Sequence, residues 1–196
     1  MRLDHFVGGN SKIEWEDALR SLLHLDWNYA PKPTVITFLP TSAGNPFQSI
    51  MYRALPSVGA MAIPANDISI ARRLTDQLTD DVNCITHLHW LNGVTRGATT
   101  EKEAQTRGRE FVEQIDAIKD AGGHILWTIH NVLPHESRWP DVDLEIRRDI
   151  VSRADRIHIM SPRTTELCAP HFDLPADKLL LLPHPSYRGA YPSTMT

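Results

Sequence analysis

The sequence predicts an α/β fold with a doubly wound parallel sheet, on three observations. From Thr34 onward, short apolar runs rich in β-branched residues alternate with longer segments of helical periodicity. The short runs are close to continuously apolar, as in strands buried on both faces. Polar clusters rich in histidine follow several of these runs directly, at the sheet edge where such folds bind ligands.

Taken in order, residues 1–10 carry no periodic signal. Ser11 and Glu14 have capping-box spacing, and Trp15, Ala18, Leu19, Leu22 and Leu23 follow at helical intervals, so a helix is expected to end near Trp27. The break APKP (30–33) reads as a linker, which makes residues 1–32 a helical extension and opens the main domain at residue 33. TVITFLP (34–40) is the first strand, TSAGN (41–45) a turn and FQSIMYRAL (47–55) a helix. A second strand is expected over 58–65, a helix over 68–78 and a third strand over NCITHLHW (83–90). A long helix from about Glu101 to Ala121 places Phe111, Ile115 and Ile118 on one face, and Gly122 and Gly123 stop it. HILWTIH (124–130) is the fourth strand. Helix 143–154, strand 155–161, helix 164–172 and strand 178–184 complete the alternation.

Composition narrows the function. A formal net charge of −4 argues against nonspecific nucleic-acid binding as the main role. Cys84 and Cys168 sit inside apolar patterns without CxxC spacing and read as buried thiols of a reducing compartment. The start MRLDHF has no basic-then-apolar signal pattern, and no apolar run approaches the length of a bilayer span. Arg147, Arg148, Arg153 and Arg156 read as a solvated helix face.

Four polar clusters fall at strand ends. In PTSAGNPF (40–47), Gly44 lets backbone approach a ligand, and the amides of the next helix can hold an anion; an ordinary strand-to-helix turn fits equally well. The cluster matches neither a P-loop nor GxGxxG. In HLHWLNG (87–93), His87 and His89 share one strand face with Trp90 opposite, either a metal pair or a structural, substrate-contacting one. ILWTIHNVLPHE (125–136) delivers His130 to a strand end, followed by Asn131; His130 and His135 are five apart across Pro134, unlike a helical HExxH site. Either a ligand contact or a histidine satisfied within the sheet edge fits. LPHPSYRGAYP (182–192), with His184, is a ligand contact or an ordinary terminal segment. Metal-assisted hydrolysis through His87, His89, His130 and His135, group transfer, and binding without reaction all stay open. Few carboxylates accompany these histidines; Glu136 and Asp141 are the nearest.

The order FLPTSAGNPFQSIMYRAL, THLHWLNG, WTIHNVLPHE, ADRIHIMSP, LLPHPSYRGAYP resembles the N-terminal half of a GT-B glycosyltransferase. It is most similar to the bacterial retaining family that includes mannosyl- and glucosyltransferases of polysaccharide and glycolipid synthesis. The resemblance covers about residues 34–192, implies a Rossmann-like domain over 33–192, and makes 193–196 the start of an interdomain linker. It implies that Ser42, Ala43, Gly44 and Asn45 approach donor phosphates or acceptor, that His130 contacts the transferred sugar, and that His89 and Trp90 line the acceptor side. Asn131 and His184 join the substrate-binding set on the same basis.

The donor implied is a GDP- or UDP-sugar, the acceptor a glycan or glycolipid, and the partner a C-terminal GT-B domain with paired glutamates. That half is missing from this sequence, so an acceptor-side half with little activity alone is expected. No cofactor or metal is implied for the chain itself. A cytoplasmic location, with peripheral contact at the inner face of the plasma membrane, follows from relatives that use lipid-linked acceptors. A standalone carbohydrate-binding module is the competing reading.

Overall fold

A computed structural model describes residues 32–190 except 43, 79–81, 135–136 and 189. The helix expected at 11–27, Ala43, His135, Glu136 and the linker at 193–196 lie outside the described residues. Among those described, six parallel strands form one sheet in the order β2-β1-β3-β4-β5-β6. They are β1 (Thr34–Leu39), β2 (Ala60–Pro64), β3 (Asn83–Leu88), β4 (His124–Thr128), β5 (Arg156–Ile159) and β6 (Leu179–Leu181). The helices between them are α1 (Phe47–Met51), α2 (Ile68–Leu78), α3 (Glu101–Asp120), α4 (Pro140–Arg153) and α5 (Arg163–Cys168). This is the α/β, Rossmann-like architecture that the alternation predicts. No helix of the described residues is long and apolar enough to cross a membrane.

The winding direction reverses between β1 and β3. From β1 the chain steps outward to β2, then crosses back to β3 and continues through β6. Loops leaving β1 and β3 therefore diverge and open a crevice at their carboxyl ends, the switch point of such a sheet.

The two faces of the sheet are covered unequally. Leu39, Leu88, Ile125, Trp127, Ile157 and Ile159 pack against apolar residues of α2, α3, α4 and the α5 end in one core. Helix α2 buries Ile68, Ala71, Leu74, Thr75 and Leu78, the stripe its periodicity predicts. Gly108 lets α3 and α4 approach closely, since a Cβ there would meet Ile146 at 3.0 Å. Gly122, at φ +85°, ends α3 in the left-handed region where a side chain is strained. The opposite face receives the short α1 and Tyr52, whose rings meet those of strand histidines.

Boundaries shift for local reasons. The helix expected over 47–55 ends at Met51 and gives way to a 3-10 turn at Leu55–Val58 containing Pro56. Helix α4 begins at Pro140 rather than 143, because proline suits a first helical turn, with Asp141 and Asp143 completing that turn. Strands β3 and β4 stop at Leu88 and Thr128, so His89 and His130 stand just beyond their ends. Backbone bonds from His89 N–H to Leu39 (2.8 Å) and from Ile129 N–H to His158 (3.0 Å) still hold those ends to the sheet.

Candidate functional site

Alternation along β3, β4 and β5 puts His87, His89, Thr128 and His158 on the α1 face, because Leu88, Trp127 and Ile157 occupy the other. In register, Thr128 pairs with His158, and His87 with Leu126. All four polar residues are buried, His87 completely. Buried polar groups need partners, and here they supply one another.

The bonds form one unbroken chain. His158 Nε2 lies 2.9 Å from the Leu182 carbonyl, and its Nδ1 is 2.9 Å from Thr128 Oγ1. Thr128 Oγ1 meets His87 Nε2 at 2.7 Å. Tyr52 Oη then bridges His87 Nδ1 and His89 Nε2, at 2.7 Å each. His89 Nδ1 reaches His130 Nε2 at 3.1 Å.

One end of this chain fixes the rest. A carbonyl only accepts, so His158 donates from Nε2; kept uncharged by its burial, it accepts at Nδ1. Thr128 then donates to His158 and accepts from His87 Nε2–H. His87 Nδ1 accepts from Tyr52, whose oxygen accepts from His89 Nε2–H, and His89 Nδ1 accepts from His130 Nε2–H. Each histidine is thus the neutral Nε2–H tautomer, and His130 Nδ1 is left as an acceptor with no protein partner among the described residues.

Neutrality is consistent with the electrostatics. Burial, reinforced by neighbouring histidines, holds His87 and His89 well below the ordinary histidine range. Burial likewise lowers His158, against the bond to the Leu182 carbonyl, and brings His130 to about 4, with His158 and His184 adding to the effect.

Aromatic rings position the open end. Trp90 stacks on His130 with centroids 4.3 Å apart and planes 22° apart. Phe47, buried, sets its ring against His130 at 4.8 Å and against His89 at 5.9 Å. The expectation that Trp90 faces away from the histidines is corrected: β3 has ended at Leu88, the strand alternation no longer applies, and Trp90 caps a 3-10 turn.

Beside His130 opens a cavity of about 520 Å³ at the carboxyl ends of β3 and β4. His89, Trp90, His130 and Asn131 all line it, which brings four of the sequence-proposed residues together. Ser42, Gly44, Asn45 and His184 are not part of its lining. The turn after β1 is tied within itself: Ser42 N–H donates to Gln48 Oε1 (3.0 Å), Gln48 Nε2 to the Pro40 carbonyl (2.8 Å), and Phe47 N–H to Asn45 Oδ1 (3.0 Å). The Ser42 and Phe47 amides are thus engaged within the turn, and α1 is only five residues long. A Cβ at Gly44 would meet no atom of the described residues within 4 Å. Asn45 also accepts from Tyr187 Oη (2.7 Å), and His184 lies against Phe47 at 5.3 Å, so the final segment folds back over α1.

The far side of the cavity holds residues that the sequence reading did not place at a site. Asp143 Oδ1 accepts from Thr95 Oγ1 (3.1 Å) and its Oδ2 from Ser137 Oγ (2.5 Å). Arg147 Nη1 donates to the Asp143 carbonyl (2.7 Å). The solvated-face reading of the arginines fails at Arg147, which is only 3% exposed. Its position explains this: Asp143, Ile146, Arg147 and Ile150 share the buried stripe of α4, a spacing visible in the sequence. Arg148 and Arg153 do lie outward, bonded to the His171 carbonyl and to Asp116.

No family model and no curated protein sequence matches this chain. The functional reading therefore rests on the site itself.

Proposed function

We propose that this domain is the acceptor-side half of a GT-B-type glycosyltransferase, and that His130 contacts a sugar hydroxyl. The observation that carries the reading is the open end of the histidine chain. His130 Nδ1, fixed as an acceptor and stacked on Trp90, stands at the rim of a cavity large enough for a saccharide unit.

An uncharged imidazole accepting from a hydroxyl suits a retaining transfer. Positive charge develops on the sugar ring there, and a protonated histidine would oppose it. With its pKa near 4, His130 is neutral at pH 7 and acts as a hydrogen-bond acceptor rather than a proton donor. Trp90 and Trp139 in the cavity wall offer apolar surface to the faces of a sugar ring. The nucleotide-sugar donor, the C-terminal half and cytoplasmic, membrane-peripheral placement belong to the same proposal.

Zinc hydrolysis is the less favoured reading. Both ring nitrogens of His87 and His89 are engaged with protein groups, and a metal there would have to break the chain.

The test is titration of the isotope-labelled chain with neutral mono- and disaccharides, followed by NMR. Shifts centred on Trp90, His130 and Asn131, weakened at least tenfold in His130→Ala, are expected. When the chain is paired with a donor-binding half, turnover of UDP- or GDP-sugars should fall about a hundredfold in the same variant. Saccharides that leave all three residues unperturbed would overturn the reading. Saccharide binding without turnover in the paired protein would favour a binding module.

A further inference from the structure

We propose that the α4 side of the cavity is an oxyanion subsite, built on Arg147 and Trp139, that receives a phosphate or carboxylate carried by the acceptor. The proposal rests on the acceptor reading above and adds the acceptor's charge.

The evidence is a mismatch of donors and acceptors. Arg147 and Trp139 both line the cavity, and Arg147 Nε and Trp139 Nε1 are buried with no hydrogen-bond partner among the described residues. Both are N–H donors. Arg147 Nη1 is committed to the Asp143 carbonyl, whereas Nη2 has no partner among the described residues. Nε and Nη2 form one edge of the guanidinium, the edge that grips an oxyanion with two parallel bonds.

Charge points the same way. Arg147 is buried, yet no carboxylate among the described residues lies within ion-pair distance of it. A guanidinium cannot shed its proton to escape that burial. The Asp143 carboxylate, one turn away, is turned to the Thr95 and Ser137 hydroxyls instead. Arg96 and Arg138 line the same cavity, with Arg138 stacked over Trp139 at 5.1 Å. Among the described lining residues, three arginines thus face one carboxylate that is already satisfied. An incoming oxyanion supplies the missing acceptor atoms and a negative charge in direct contact, whereas the Asp143 carboxylate acts on Arg147 only at a distance. His130 and Arg147 line one cavity, so a single ligand could present a hydroxyl to the first and an anionic group to the second.

The experiment titrates the chain with inorganic phosphate, with glucuronate and with glucose, at ionic strength matched by sodium chloride, reading side-chain NMR signals of Arg147 and Trp139. Phosphate or glucuronate should shift both signals, and the dissociation constant should rise at least tenfold in Arg147→Met. Arg147→Lys, which keeps the charge but not the two-bond edge, should fall between, and it carries the test if the methionine variant does not fold. A response to phosphate alone or to glucuronate alone identifies which oxyanion the subsite prefers. Equal binding by wild type and both variants, or no response beyond sodium chloride, overturns the proposal. Glucose shifting Trp90 and His130 while neither anion reaches Arg147 would sink this subsite and leave the sugar reading intact; anion binding without any glucose response would do the reverse.

Discussion

Two polar clusters meet at the carboxyl edge of this sheet, and they differ in completeness. On the α1 face, four histidines, Tyr52 and Thr128 form a chain in which each inner nitrogen or oxygen has a partner. On the α4 side, Arg147 Nε and Trp139 Nε1 are buried without one among the described residues. Leaving a buried donor unpaired costs about 1–3 kcal/mol, as much as a cap or a small cavity. The complete cluster serves the fold and orients a single atom, His130 Nδ1. The incomplete cluster gives up stability, and the proposed oxyanion would complete its bonding.

Acid should separate the clusters most sharply. His87 and His89 have folded pKa values well below 6.5, so the unfolded chain binds more protons below that pH. The stability they contribute is fully present above about pH 6.5 and is lost as pH falls. Each costs about 1.4 kcal/mol per pH unit, or roughly 3 kcal/mol together. A Tm profile should be flat from pH 8 to 7 and collapse between 6 and 4. A profile unchanged down to pH 4.5 would mean that the histidines are not buried and neutral.

Next in size is Tyr52→Phe, which removes the hydroxyl bridging His87 and His89. Two buried groups lose their partner, and urea unfolding should show a loss of about 2–5 kcal/mol. A loss under 0.5 kcal/mol would show that no continuous chain exists. By contrast, Arg147→Met should change stability by less than about 1 kcal/mol in either direction, because no carboxylate is orphaned and a buried charge is removed. A loss above 3 kcal/mol would make Arg147 a structural residue. The subtlest effect leaves stability aside. Imidazole nitrogen NMR at pH 7 should show the Nε2–H tautomer at all four histidines, and His158→Phe should let the remaining three mix tautomers.

Legibility in the sequence followed the range of the interactions involved. Period-3.6 stripes such as Ile68, Ala71, Leu74 and Leu78 are local, and the helix they predict is observed over the same residues. Strand alternation correctly placed His87 and His89 on one face, then failed at Trp90 because a strand end depends on where its neighbours stop. Arg147 looked solvated in a row of arginines, although its offset from Ile146 and Ile150 already put it on the buried stripe. Tyr52 and His158 carried no local signal. Their partners are 35 and 30 residues away, and only strand register brings them together.

The sequence by itself determined the α/β alternation, the placement of His130 at a strand end and the gathering of histidines at one sheet edge. Those follow from periodicity within a dozen residues. Only the tertiary structure decided what the histidines do, since the acceptor-only Leu182 carbonyl, 52 residues after His130, sets the direction of every bond in the chain. It also decided that Arg147 is buried with no carboxylate of the described residues in ion-pair contact, because burial depends on which helix packs above it and pairing on which side chains reach it.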